Sequence, residues 1–437
     1  MPGATRVLFV YGDRVGTSMG GMGIRAVELA HAVRAALGVH VTIAAADFDG
    51  GDVGVPVVTY APHAPRALDP HLAVADAVVA QPGWPLVMRK LSRSGVRLIA
   101  DLYDPEVFGT LEHLADGPRG RRALLGAFAA DRVVDALRRG HHIMCAGERQ
   151  RDLWIGALLG AGLVTPARYD QDRSLRSFLD VVPYGVPAIA PVASGTPLRD
   201  RLGIAPGDEV VLWNGGIWSW LDAPTAIRAI ALVRARRPRA RLVFMGAATA
   251  APARQATERA RLLATELGLL GDAVVFNDEW VSYEDRGGWL LDADCAVSSH
   301  TEQLETRFSS RTRVLDCFWG RLPVVCTRGD ELAERIERDD LGAVADPGDP
   351  AGLAAELERV LERGRGAYAD RLAAAAREFA WPQVAGPLVS WLDGSTPAPV
   401  GGVRGLERRP SERLRSAGYV AVAGSLSALR VSPPRTR

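Results

Sequence analysis

One local pattern occurs in each half of this chain and leaves few folds open. Residues 7–11 (Val-Leu-Phe-Val-Tyr) are an unbroken apolar run, followed by a loop holding Gly20-Gly21-Met22-Gly23. Apolar residues at helical spacing come next, Ile24, Val27, Ala30, Val33 and Leu37, which predicts a helix over 24–37. Residues 210–214 (Val-Val-Leu-Trp-Asn) lead in the same way into Gly215-Gly216 and a helix expected over 224–236, with Pro224 in its first turn. A strand that is apolar on both faces must be covered on both faces, which is the condition of a parallel sheet layered with helices. Further runs of this kind stand at 41–45, 75–80, 96–100, 142–146, 241–246, 273–276, 295–297 and 322–326. The fold class expected is α/β, two Rossmann-like doubly wound units facing across a cleft.

The Pro/Gly/Ser-rich run 188–195 reads as the connection between them. The organisation expected is a first unit over 1–190, a second over 200–380, a helical segment over 381–395 that crosses back to the first, and a partly mobile tail over 396–437. A length of 437 residues suits two domains with a core each. Composition removes several classes of function. The formal net charge is +1, so nothing marks a nucleic-acid partner. Lys90 is the only lysine, which excludes a P-loop. Cys145, Cys295, Cys317 and Cys326 lie in apolar runs without metal-ligand spacing. The apolar run at 6–11 is too short for a secretory leader and no other run is long enough for a transmembrane segment, so neither is expected, and a cytoplasmic protein is.

The stretch 297–326 carries the most chemistry: Glu302 and Glu305, then Arg311 and Arg313, then Asp316 within the apolar pattern Val314, Leu315, Cys317 and Phe318, with Gly320 closing the helix. A polar loop feeding a helix at the carboxyl end of a strand is a ligand position in such sheets. A helix start favours anions, and paired guanidiniums suit phosphate oxygens. The glycine loops at Gly20-Gly21 and Gly215-Gly216 let backbone amides approach a phosphate or sugar, or serve as turns. The spacing is not that of a dinucleotide fingerprint. Tyr103 and Asp104 follow the strand 96–100 and face the cleft, although Asp104 also suits a helix N-cap. Trp218 and Trp220 pack on a sugar face or wedge between the two units. Asp292 and Asp294 read as a structural pair, and His141-His142 as a strand entry, so no metal site is expected.

Residues 315–325, Leu-Asp-Cys-Phe-Trp-Gly-Arg-Leu-Pro-Val-Val, together with the acids before them, resemble the signature of the GT-B glycosyltransferases, specifically retaining glycosyltransferase family 4. The turn Pro183-Tyr184-Gly185 and the doubled strand–glycine–helix unit extend the resemblance over residues 6–393. It implies transfer of a sugar, with retention, from a nucleoside-diphosphate sugar to a small-molecule, lipid-linked or polysaccharide acceptor, with no cofactor or metal required. The nucleotide would sit on the second unit, its base held by the loop of Trp280 and Val281 and its ribose by Asp316. Arg313 and Arg311 would meet the diphosphate, with Gly20 and Gly21 closing over it and Gly215 and Gly216 beside it. Glu305 or Glu302 would hold the donor sugar, and Tyr103 and Asp104 the acceptor. Two positions depart from the family: Asp316 stands where glutamate is usual, and the arginine and lysine expected after Gly215 are replaced by Ile217 and Asp222. The same fold serves sugar-nucleotide epimerases and phosphorylases, and an inactive binding protein would share these features.

Overall fold

The computed structural model describes residues 3–400 apart from 116, 193–194 and 247–250. The repeated pattern resolves into two sheets in which every strand pairing is parallel. The first contains β1 (Arg6–Val15), β2 (His40–Phe48), β3 (Val57–Thr59), β4 (Ala77–Ala80), β5 (Arg97–Asp101), β6 (His142–Cys145) and β7 (Leu179–Val181) in the order β3-β2-β1-β4-β5-β6-β7. The second contains β8 (Glu209–Trp213), β9 (Ala240–Phe244), β10 (Val274–Phe276), β11 (Cys295–Ser298), β12 (Val324–Thr327) and β13 (Gly342–Ala345) in the order β10-β9-β8-β11-β12-β13. The winding direction reverses between β1 and β4, and again between β8 and β11. Those two points, at the carboxyl ends, are where a doubly wound sheet leaves a crevice.

Both crevices differ in detail from the sequence reading. β1 continues to Val15 through a register shift between Tyr11 and Arg14, an irregularity of the kind that re-aims side chains; Asp13 sits in it. The following helix starts at Gly21 rather than Ile24, with Gly20 as its N-cap. Glycine has poor helix propensity, which hid these first turns. Gly23 is needed there for space, because a Cβ would lie 2.3 Å from the Arg14 carbonyl oxygen. Gly320 does follow the helix Thr312–Trp319, but at φ −72; the left-handed residue is Arg321, at φ 51. A Cβ on Gly320 would come within 2.7 Å of Leu290, so packing between helices demands the glycine.

The carboxyl edges of the two sheets face each other. The Tyr103 hydroxyl, just past β5, donates to the Ser310 carbonyl past β11 at 3.2 Å. Gln150, buried, gives its amide to the carbonyls of Tyr103 and Phe308, each at 2.7 Å. Phe108 stacks on Phe308 with centroids 5.7 Å apart. On the flank, the Arg149 backbone N–H donates to Glu331 and its guanidinium donates to Glu334 and to the Gly329 carbonyl (2.9 Å). A side chain at Gly147 would collide with the Glu331 carboxylate. The glycine thus lets an acid from one unit reach the start of the other's helix Glu148–Gly160, where the helix dipole favours it.

The helices Trp381–Val384 and Gly386–Asp393 return to the first sheet. Trp391 stacks on His142 at 4.9 Å, and Arg97 donates to the carbonyls of Trp391 and Leu392 at 2.7 and 3.0 Å. Gly185 makes room for the Trp381 ring. Among the described residues, no helix is long and apolar enough to cross a membrane. The tail beyond residue 400, including the apolar stretch 418–431, lies outside the described residues.

Candidate functional site

At the crevice of the second sheet, β8 ends in Trp213, and the chain turns through Asn214, Gly215 (φ 131) and Gly216. Arg313, in the first turn of the helix Thr312–Trp319, lies against that turn. Its Nη2 donates to the Gly216 carbonyl at 2.9 Å, its guanidinium carbon lies 5.3 Å from the Trp213 ring centre, and its Nη1 is buried with no partner. Asn214 holds the Arg313 carbonyl at 2.7 Å. A Cβ on Gly215 would lie 3.5 Å from Nη2, so the glycines and the arginine form one surface. Among the described residues no carboxylate forms an ion pair with Arg313, and burial draws its pKa down to about 10. A guanidinium with a buried nitrogen that bonds to nothing is unfavourable alone and favourable beside an anion.

Arg311 does not share this position. It is buried, ion-paired with the equally buried Asp330, and donates to the Thr327 carbonyl at 3.2 Å. The expectation that the two arginines act side by side is corrected to this extent: one is consumed by the core of its own unit, and the other forms no ion pair among the described residues. His300 lies near both, and burial, reinforced by their charges, keeps its imidazole neutral.

Asp316, expected to face a ribose, accepts from Arg286 Nε at 3.1 Å through Oδ1 and keeps a side chain 21% exposed. Arg286 lies over the Tyr283 ring at 3.5 Å and the Trp319 ring at 4.5 Å, with a buried Nη2 that has no partner. The sequence reading passed over Arg286. The signal available was its place, opening the helix Arg286–Asp292 directly after the loop of Trp280 and Val281. That loop is held by Asn277, which gives its amide to the carbonyls of Met245 and Glu279, both at 2.8 Å. Trp280 is exposed there and Val281 half-buried.

The two glutamates part company as well. Glu302 is exposed, whereas Glu305 is 7% exposed and its Oε2 has no partner. Burial raises its pKa to about 7; Asp104 and Glu112 push the same way, and Arg311 and Ser309 oppose. The folded chain therefore holds this proton more tightly than the unfolded chain, whose glutamate titrates near 4.5. The contribution to stability is complete below that value and is lost as pH rises through about 7. Glu305→Gln is expected to flatten the fall of the urea midpoint between those limits, and an unchanged slope would show that another group carries it.

On the first unit, Gly20 and Gly21 are exposed at the start of the helix Gly21–Leu37, which no side chain caps and whose first turn has no acid. A Cβ at either would meet nothing within 4 Å, so the backbone here borders open space on that side. Tyr103, expected beside the acceptor, is instead 4% exposed. Its hydroxyl is engaged by Ser310 and its ring lies 4.6 Å from the Arg25 guanidinium, so it acts as a strut between the sheets. Asp104 does open to solvent, and it is not a cap: Pro105 is the N-cap of the helix Glu106–His113, with no side-chain bond. Crowding by the surrounding protein, with Asp13, Glu106 and Asp101 adding repulsion, raises Asp104 to about 7. Asp13, missed in the sequence, follows β1's apolar run just as Asp104 follows β5's. Trp218 and Trp220 stack at 5.2 Å, and Trp220 approaches His113 at 6.3 Å, which places them between the units. Asp292 and Asp294 are held by Arg199 at 3.0 and 3.2 Å. Among the described residues no group of three His, Cys, Asp or Glu is placed to hold a metal.

Residues 208–363 match the family model described as glycosyl transferases group 1. No curated protein sequence matches the chain. Three solved structures share the fold at low identity. HepE from Anabaena, solved with UDP and glucose, has a TM-score of 0.64 at 14% identity over 89% of this chain and 100% of its own. WaaG, a glycosyltransferase involved in lipopolysaccharide biosynthesis, has a TM-score of 0.62 at 16% identity over 89% and 100%. Sucrose-phosphate synthase from Thermosynechococcus elongatus has a TM-score of 0.60 at 16% identity over 90% and 100%.

Proposed function

We propose, from the premise that this chain has the GT-B fold and that its residues 208–363 match the group 1 glycosyl transferase model, that it transfers a sugar from a nucleoside-diphosphate sugar to an acceptor hydroxyl with retention of configuration. The observation that carries this is Arg313: half-buried, with a buried Nη1 that has no partner, and set against the glycine turn at the second sheet's crevice. A departing diphosphate gains negative charge in the transition state, and a preorganised guanidinium meets it without reorganisation. The open amides at Gly20 and Gly21 approach the same group from the first unit. Because charge stabilisation does the main work, the leaving diphosphate itself takes the acceptor proton and no protein base is required.

The second unit, over 200–380, binds the donor, and the first, over 1–190, the acceptor. Asp316 accepts from the ribose hydroxyls with Arg286 fixing its orientation. Glu305, with its free oxygen, holds the donor sugar in preference to the exposed Glu302. Arg311 acts through Asp330 by anchoring the start of the helix that carries Arg313. The test is a panel of nucleoside diphosphates read by thermal shift, followed by hydrolysis of the matching nucleotide sugars and by the anomeric configuration of the transfer product. Asp316→Ala is expected to weaken nucleoside diphosphate binding roughly tenfold by calorimetry, the loss of one charge-assisted hydrogen bond. If the wild-type chain binds no nucleoside diphosphate and hydrolyses no nucleotide sugar, the function is another one.

A further inference from the structure

The two units are tied to each other at two places. The passages of chain between them are bonded together, with the Val186 N–H donating to the Phe379 carbonyl at 2.8 Å and the Trp381 N–H donating to the Val186 carbonyl at 3.0 Å. The second tie is the first turn of the helix Glu148–Gly160. Gln150 in that turn is buried, with its carbonyl oxygen and its amide nitrogen both engaged. Its Oε1 accepts from the Ala146 N–H at 2.8 Å. Its Nε2 donates to the Tyr103 carbonyl of the first unit and to the Phe308 carbonyl of the second, each at 2.7 Å. Two carbonyls cannot bond to each other, so holding them together takes a donor with two hydrogens between them. One residue earlier, Arg149 reaches the second unit on the flank, at Gly329, Glu331 and Glu334.

These contacts bracket the pair that starts the Arg313 helix. Phe308 and Ser310 lead into Arg311, and Gly329 and Glu331 flank Asp330, to which Arg311 is paired. On the first unit the carbonyl that Gln150 holds belongs to Tyr103, the residue directly before Asp104. We propose that Gln150 is a positioning residue: it touches neither donor nor acceptor, and it holds the half-site around Arg313 in register with the half-site around Asp104. The paired passages of chain set where the units meet and leave rotation about that point; the tie at Gln150 removes the rotation. Misplacing reacting groups by about 1 Å is enough to cost roughly 10²-fold in rate. The nucleotide is held mainly by the second unit, so its affinity depends little on the register, whereas turnover needs both halves. This inference rests on the transferase reading above and adds to it the residue that aligns its two half-sites.

The test reads register, turnover and nucleotide affinity separately on the full chain. Spin labels are carried by Arg89→Cys on the first unit and Leu262→Cys on the second, both at exposed positions, the four native cysteines being buried. Calorimetry uses UDP, GDP and ADP, and hydrolysis uses the glucose conjugate of whichever binds. Gln150→Met is expected to broaden the distance distribution between the labels and to lower hydrolysis roughly tenfold or more, while nucleoside diphosphate affinity changes less than about twofold. Tyr103→Phe, which removes only the bond to Ser310, and Arg149→Gln, on the half-buried flank, loosen the same tie with less disturbance of the core. Each is expected to lower hydrolysis by roughly two- to fivefold, as loss of one hydrogen bond does. A folded Gln150→Met chain with an unchanged distance distribution, with unchanged hydrolysis, or with hydrolysis and nucleoside diphosphate affinity falling in equal proportion overturns the proposal. Where Gln150→Met does not fold, Tyr103→Phe and Arg149→Gln decide, and unchanged readouts in both overturn it. Where the wild-type chain binds and hydrolyses none of the probes, the transferase reading is what fails, and the distance distribution alone decides whether Gln150 sets the register.

Discussion

Arg313→Met is expected to lower turnover by roughly 10²-fold, the loss typical of removing one preorganised donor to a developing anion, while leaving the fold intact or more stable. The two effects have one origin. Arg313 is half-buried, with one bond, to the Gly216 carbonyl, and with a buried Nη1 that has no partner. Burial has already drawn its pKa down to about 10, so the folded chain bears a cost for keeping it charged. Methionine fills similar space without that cost, and replacing uncompensated buried charge by apolar volume is commonly neutral or stabilising. Arg313→Lys should keep part of the activity, since it retains the charge but loses the planar two-pronged grip on phosphate oxygens. Steady-state kinetics and thermal unfolding on the same preparations decide the matter. A variant that unfolds early and turns over normally would make Arg313 a structural residue.

Arg25→Met is expected to do the opposite, costing about 3–5 kcal/mol of stability, the range for stranding one partner of a buried ion pair. Arg25 and Asp101 both have fully buried side chains. The guanidinium bonds Asp101 through Nε at 2.8 Å and Nη2 at 3.0 Å, and donates to the carbonyls of Pro183 and Val182, each at 2.8 Å. Tyr11 completes the set with a 2.6 Å bond to Asp101. These bonds tie β1, β5, the segment after β7 and the helix Gly21–Leu37 together. Removing the guanidinium leaves Asp101 charged in the core with the tyrosine alone. The melting temperature should fall by roughly 10 °C for a domain of this size. A second substitution, Asp101→Leu, should recover part of the loss, because the penalty lies in the unpaired charge. A fall of less than about 1 kcal/mol in the single variant would mean that water reaches the site and screens it.

Much of the architecture was legible in the chain because it follows from local rules that act residue by residue. Apolar runs such as 7–11 and 210–214 admit burial on both faces and nothing else, and their repetition with helices between them dictates parallel, doubly wound sheets. That rule also puts ligands at the carboxyl ends of such strands, so the neighbourhoods of Asp104, Gly215 and Arg313 could be named in advance. What each side chain does within its neighbourhood was decided by tertiary contacts. Arg311 and Arg313 are two residues apart and chemically identical, yet Asp330 is within reach of only the first. Glu302 and Glu305 stand in one loop, yet only the second is enclosed, by contacts with the other unit. Asp104 and Tyr103 are adjacent, yet one opens to solvent and the other spends its hydroxyl across the cleft. Arg286 and Asp13 enter the site from distant segments that no spacing connects to it. Burial and charge are properties of the whole surroundings of an atom; spacing along a chain specifies which face a residue occupies, and only packing specifies what lies opposite that face.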